Sequence, residues 1–172
     1  MRLVVTASVL ALMCSFGASQ VRAADEGDFL SRFDGQWSGG GPVRRNAESG
    51  PVNVKCTLGG DQGENRMKVG GSCRAAIIIS KAIGADLKYD EATGIYRGTY
   101  EGARGGTSQL VGKRQGDTLN LTVTWPKVLN GDRVAAMAIT NDGQGQLRIK
   151  VTDKVSSEGA TEVMSDLTFR KG

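Results

Sequence analysis

The feature that most limits what this chain can fold into is an alternation of apolar and polar side chains. In residues 118–125, TLNLTVTW, four apolar side chains alternate with threonine and asparagine. The same period recurs in three more segments, 52–58, 67–73 and 146–151. Because successive side chains of a β-strand point to opposite faces, this period predicts strands with one buried face.

Short segments rich in glycine, asparagine and aspartate separate these strands, and such residues supply the positive φ that tight hairpins require. Residues 75–80, AAIIIS, fit a helix or a strand by apolar pattern, and their three isoleucines favour a strand buried on both faces. We therefore predict an all-β, antiparallel up-and-down meander of nine or ten strands. Closure into a barrel would remove the exposed edges of such a meander.

The N-terminal residues have the composition of an export signal. Arg2 precedes the apolar run LVVTASVLALM, and Val21-Arg22-Ala23 fits the small-x-small cleavage rule. We predict a signal peptide at 1–23 and a single barrel domain at 24–172. The apolar run is shorter than the roughly 18 residues that span a bilayer, so we expect no transmembrane segment.

One cysteine bears on how an exported chain would be held. Cys14 follows Met13, a bulky residue at a position where lipid attachment needs Gly, Ala or Ser. The sequence therefore favours a soluble protein of the periplasm or the extracellular space over a lipoprotein anchored through Cys14.

The predicted mature chain keeps two cysteines, Cys56 and Cys73, both on the apolar register of their strands. An even pair in an exported protein is most simply a disulfide. The chain has no histidine, which argues against a thiol nucleophile or a metal pair. We predict a structural disulfide, no metal site and no cofactor.

Charge and residue types exclude several function classes. Basic residues are scattered along the chain, whereas nucleic-acid binding proteins usually gather them on one surface, so no nucleic-acid partner is expected. Without histidine, Ser-His-Asp and Cys-His schemes are excluded. The acidic pairs Asp90–Glu91 and Glu101–Asp132 lie beside turn glycines, where carboxylates are normally solvated. We therefore expect no enzyme.

The segment from Phe33 to Trp37, FDGQW, points to a particular barrel. A short helical lead-in at 24–33, then Gly-x-Trp at the first strand, then a meander resembles the calycin superfamily of lipocalin-like and avidin-like barrels. The resemblance implies a structural role for Trp37, closing one end of the barrel beneath a basic side chain of the last strand. Arg170 stands at that position.

The second half of the chain, with its Gly-Thr-Tyr and Thr-Val-x-Trp motifs, resembles the avidin-like barrels more specifically. The resemblance covers about half of the mature chain and implies a pocket-lining role for Trp125. Three departures argue against biotin as the ligand: Gly39 replaces a urea-binding asparagine, and Met137 and Asp153 lie where further pocket tryptophans would fall. Residues 45–85 also add strands and the cysteine pair.

Two functions remain open. In the first, the barrel binds a small, mostly apolar molecule, lined by Trp125, Tyr89, Tyr96, Tyr100 and Met137. Core packing is the alternative role for each of these five side chains. In the second, a filled barrel acts as a protein inhibitor or envelope interaction module through glycine-rich loops at 39–41 and at 102–106, which includes Arg104. The oligomeric state is left open.

Overall fold

The protein is described by a computed structural model covering residues 18–44, 50–76, 79–102 and 106–172, with side chains from Asp25 onward. The predicted signal peptide therefore lies largely outside the described residues. One helix precedes ten strands: α1 Ala18–Ser31, β1 Gly35–Val43, β2 Val52–Gly63, β3 Arg66–Ala75, β4 Ile79–Asp90, β5 Ile95–Glu101, β6 Thr107–Gln115, β7 Thr118–Leu129, β8 Asp132–Asn141, β9 Gln146–Lys154 and β10 Thr161–Lys171.

The ten strands form one closed barrel in which every strand pairs antiparallel with its neighbours in sequence, and β1 pairs with β10. This arrangement confirms the predicted all-β meander and leaves no free sheet edge. Alternation is clearest in β7, where every second residue from Leu119 to Trp125 is buried. The inward residues of all ten strands build one continuous apolar core.

Helix α1 closes one end of the barrel, which we call the floor. β1 begins and β10 ends at the floor. Phe29, Leu30 and Phe33 are fully buried there, and the Phe29 and Phe33 rings meet edge to face at 5.3 Å. The indole Nε1 of Trp37 donates a hydrogen bond to the carbonyl oxygen of Phe33 over 3.0 Å. The lead-in segment therefore caps the barrel. Among the described residues, no helix combines the length and the hydropathy needed to cross a membrane.

The cation above Trp37 is Lys171 and not the predicted Arg170. Nζ of Lys171 lies 5.6 Å from the indole centroid. The register explains the difference, because Lys171 is opposite Trp37 while Arg170 is opposite Ser38. A one-residue offset places a side chain on the opposite face of the sheet.

The predicted disulfide between Cys56 and Cys73 is present and joins β2 to β3. The two cysteines are direct partners in the antiparallel ladder, as Leu58 and Gly71 also are. Cys56 is buried and Cys73 is half-buried, so the bridge lies on the inner side of the barrel wall.

Two predicted local structures are wrong. The described residues of 75–80 do not form one buried strand, because β3 ends at Ala75, Ala76 has a φ of 61° and β4 begins at Ile79. Ile77 and Ile78 lie outside the described residues. Ile79, the first residue of β4, is 50% exposed. Residues 39–41 are part of β1 rather than a rim loop. Their glycines are needed for close strand approach, since a Cβ on Gly39 would lie 2.1 Å from the carbonyl oxygen of Thr168. The predicted contact residue Arg104 lies outside the described residues.

Candidate functional site at the open end of the barrel

The end of the barrel opposite the floor, which we call the open end, carries the partly exposed part of the core. Here β1 ends, β2 and β4 begin, and the β7–β8 hairpin projects. Among the described residues, six partly buried hydrophobic side chains pack against the core, and all six lie towards this end; we call them the cup: Val43, Val54, Cys73, Ile83, Tyr100 and Leu129. An apolar surface that continues the core and reaches solvent is the typical lining of a ligand site.

The strand register shows that cup side chains point into the barrel. Ile83 is opposite Gly71, which is itself opposite the buried Leu58. Tyr100 is opposite the buried Ala85 and Ser108. Directly opposed residues of neighbouring strands share a face of the sheet, so these side chains face the interior.

Three inward positions beside the cup are glycines, where the backbone of a neighbouring strand comes too close for a side chain. Gly39 and Gly41 are opposite the inward residues Cys56 and Val54, and Gly71 is opposite Leu58. These three inward positions therefore send no side chain into the interior. On these strands the cup is lined by Val43, Val54 and the disulfide, with backbone at the glycine positions.

An aromatic and acidic cluster forms the wall across from these glycines. Nε1 of Trp125 donates a hydrogen bond to Oδ2 of Asp153 over 3.1 Å, and Asp153 is 2% exposed. Nε of Arg133 donates to the backbone oxygen of Trp125 over 2.8 Å. The ring centroids of Tyr100 and Trp125 are 6.4 Å apart. The cluster places polar groups at the edge of an apolar cup.

The burial of Asp153 and its hydrogen bond to Trp125 were not predicted from the sequence. Leu147, Ile149 and Val151 alternate along β9, and Asp153 is the next residue on the same inward register. The sequence did carry a signal for this burial, because Asp153 occupies the next position in a row of alternating apolar residues. Burial of such a group requires a hydrogen-bond donor, which Trp125 supplies.

The middle of the barrel is filled. The void there measures about 10 Å³, which is room for a single water molecule. Met137, one of the predicted ligand residues, lines this void together with Ile83 and Tyr100 of the cup. This void has no room for a molecule larger than water.

The remaining two predicted ligand residues, Tyr89 and Tyr96, lie at the floor. Their rings pair across β4 and β5 with centroids 5.0 Å apart. The Tyr96 hydroxyl donates a hydrogen bond to Oε2 of Glu26 on α1 over 2.5 Å. The five predicted residues thus divide among three levels: Trp125 and Tyr100 at the open end, Met137 in the middle, Tyr89 and Tyr96 at the floor.

Charges at the floor are paired. Nε of Arg114 is 3.0 Å from Oε2 of Glu26, and its guanidinium also pairs with Asp25 and lies 5.0 Å above the Phe29 ring. Burial, together with the Glu26 carboxylate, raises the pKa of Tyr96 far above its ordinary value of about 10. These contacts attach α1 to the barrel, so the floor is structural.

A shallow groove of about 360 Å³ lies on the outer face of β7 to β9. Its outward lining consists of polar side chains and two alanines: Asn120, Thr122, Ala136, Ala138, Lys150 and Thr152. Among the described residues no three acidic or cysteine side chains are grouped closely enough to hold a metal ion.

No known protein family and no curated protein matches the sequence. Among solved structures, the chain is similar to that of Rv2717c from M. tuberculosis, with a TM-score of 0.64 and 14% sequence identity. The match covers 83% of this chain and 94% of that one. At this identity the likeness concerns the fold alone, and it extends over nearly the whole barrel.

Proposed function

We propose that this protein is an exported, non-enzymatic barrel that binds a small, mostly apolar molecule in the cup. The observation that carries the proposal is the contrast between the ends. The floor is sealed by α1, with Phe29 and Phe33 fully buried, whereas the six cup side chains are only partly buried. An apolar ligand in the cup would bury the surface of these six side chains that is still exposed to solvent.

The cup wall suits a ligand with one polar group. Trp125 and Asp153 are hydrogen-bonded to each other, and the Arg133 guanidinium is exposed beside them. Lys81 is opposite Cys73 on the inward register and is exposed. A polar or acidic group on the ligand would meet these two cations at the mouth.

Export and membership of the calycin superfamily belong to the same proposal. The apolar leader with its cleavage motif and the Cys56–Cys73 disulfide support an oxidising compartment. A closed antiparallel barrel with Gly-x-Trp at its floor and Lys171 above the indole supports a calycin-like origin. Binding rather than catalysis is favoured because the chain has no histidine.

Titration with a fluorescent fatty acid, 11-(dansylamino)undecanoic acid, tests the proposal. We expect saturable binding with a blue-shifted dansyl emission. Ile83→Trp adds a large ring to the cup and should weaken binding at least tenfold. Val111→Trp adds the same ring to the outer face of β6 and should leave binding unchanged, since Val111 is exposed there. Equal binding by both variants, or no saturable binding, would contradict a ligand site in the cup.

The outer groove favours a second candidate, in which a filled barrel acts as a protein inhibitor or interaction module through its surface. The groove is open to solvent, and its small side chains, among them Ala136 and Ala138, allow close approach of a partner chain. Ala136→Arg would then abolish the interaction with that partner while leaving dansyl-fatty-acid binding intact. If instead the fatty acid fails to bind and Ala136→Arg removes capture of a partner, the surface function is the correct one.

A further inference from the structure

The open end of the barrel carries most of the exposed apolar surface. Six large hydrophobic side chains among the described residues are exposed, and five of them lie at or near the strand ends that form this rim: Val52, Ile79, Val128, Val134 and Val163. We call these five the apolar rim. The sixth, Val111, lies on the outer face of β6 in the middle of the barrel.

The apolar rim surrounds the mouth. Its members belong to β2, β4, β7, β8 and β10, which are distributed around the closed strand order. Val128 is the most exposed at 62%, and with Val134 it flanks the Asn130-Gly131 turn of the projecting β7–β8 hairpin. Exposed apolar groups gathered at one end of a molecule indicate a surface that becomes covered.

The open end also carries a small excess of positive charge. The described strand ends and hairpins of the open end carry seven cationic and five acidic side chains, one of which, Asp153, is buried. Two of those cations, Arg44 and Lys154, form ion pairs with Glu162 and Asp132. The other five are exposed: Lys55, Arg74, Lys81, Lys127 and Arg133.

Two of these five exposed cations repel each other in the isolated protein. Lys55 and Arg74 are directly opposite each other on β2 and β3, and both are exposed. Like charges directly opposite each other destabilise a sheet. An anionic surface against the rim would relieve this repulsion.

We propose that the open end docks onto an anionic phospholipid surface, with the apolar rim inserted among the headgroups and the exposed cations over the lipid phosphates. Apolar burial and attraction to anionic lipids act together in such binding, and each cation near the surface strengthens it. Docking in this orientation turns the mouth of the cup towards the membrane. The inference goes beyond the proposed function and does not require an occupied cup.

Co-sedimentation with vesicles tests the docking. We expect the protein to bind vesicles of phosphatidylglycerol and phosphatidylcholine and to leave pure phosphatidylcholine vesicles in the supernatant. Lys55→Gln with Arg74→Gln should reduce binding by about tenfold or more, and so should Val128→Ser with Val134→Ser. Matched changes away from the open end, Lys113→Gln with Arg170→Gln and separately Val111→Ser, should leave binding unchanged.

Three results would overturn the docking. The first is equal binding to both kinds of vesicle, and the second is equal loss in the open-end and control variants. The third is a dimer in sedimentation velocity that Val128→Ser with Val134→Ser dissociates, because the rim would then be covered by a second copy of the chain. The Ile83→Trp variant separates this proposal from the ligand site, since it should lose dansyl-fatty-acid binding and keep vesicle binding.

Discussion

The Tyr96 hydroxyl donates a hydrogen bond to Oε2 of Glu26 over 2.5 Å, and this bond attaches helix α1 to strand β5 at the floor of the barrel. Nε of Arg114 lies 3.0 Å from the same carboxylate oxygen. Glu26 is 5% exposed, and a buried carboxylate requires hydrogen-bonding partners such as these two. The floor is therefore closed by polar contacts as well as by aromatic packing.

Stability at high pH should report this bond. Burial and Glu26 raise the pKa of Tyr96, so the folded protein keeps a phenol proton that the unfolded chain releases above about pH 10. The stabilising contribution is complete below pH 10 and is lost as the pH rises, by at most about 1.4 kcal/mol per pH unit. Urea unfolding of wild type and Tyr96→Phe between pH 8 and 11 should show a stability difference that shrinks above pH 10. A constant difference would contradict the buried phenol.

The aromatic part of the floor should dominate its energetics. Phe33→Ala removes a fully buried ring that packs edge to face against Phe29 of α1, and we expect it to lower the free energy of unfolding by about 3–5 kcal/mol. Val111→Ala on the outer face is the control and should change it by less than about 0.5 kcal/mol. Chemical denaturation of both variants tests this, and a small effect of Phe33→Ala would show that the lead-in does not cap the barrel.

The register of Lys171 and Arg170 predicts different outcomes for two neighbouring cations. Lys171→Gln removes the charge above Trp37 and should cost about 0.5–1 kcal/mol, with a change in indole fluorescence. Arg170→Gln should leave the free energy of unfolding and the indole fluorescence unchanged, because Arg170 is opposite Ser38 and lies on the other face of the sheet from Lys171. If Arg170→Gln has these effects and Lys171→Gln has none, Arg170 is the cation above Trp37, as the family resemblance implies.

Removal of the disulfide should destabilise the barrel without unfolding it. In the chain-entropy account, a closed loop of roughly 16 residues contributes about 3 kcal/mol. We expect the double change Cys56→Ala, Cys73→Ala to lower the free energy of unfolding by about that amount in denaturant titrations, and a reducing agent to do the same to wild type. If the double variant is as stable as wild type, the bridge has no stabilising role.

The fold was predictable because its signal is local and repeated. The alternation in β7 and β9 and the glycine turns each specify a strand or a hairpin, and together they required an antiparallel barrel. The error at 75–80 arose because β-branched residues favour a strand without specifying where it ends, and β3 ends at Ala75, just before the turn at Ala76.

The site was less predictable because it depends on how far along the barrel axis each side chain lies. Tyr89, Tyr96 and Tyr100 all have inward registers, yet the first two lie at the floor and the third at the open end. Periodicity identifies the face of a side chain but not its distance from either end. The same limit applies to Lys171 and Arg170, whose faces depend on a register that the sequence alone does not specify.

The most direct test of ligand binding is native mass spectrometry of the protein isolated, without denaturation, from the cells that make it. We expect a discrete added mass that disappears on denaturation and is absent from the Ile83→Trp variant produced in the same way. A bare mass in the native spectrum, with none gained after incubation with the dansyl fatty acid, would contradict a small-molecule site in the cup.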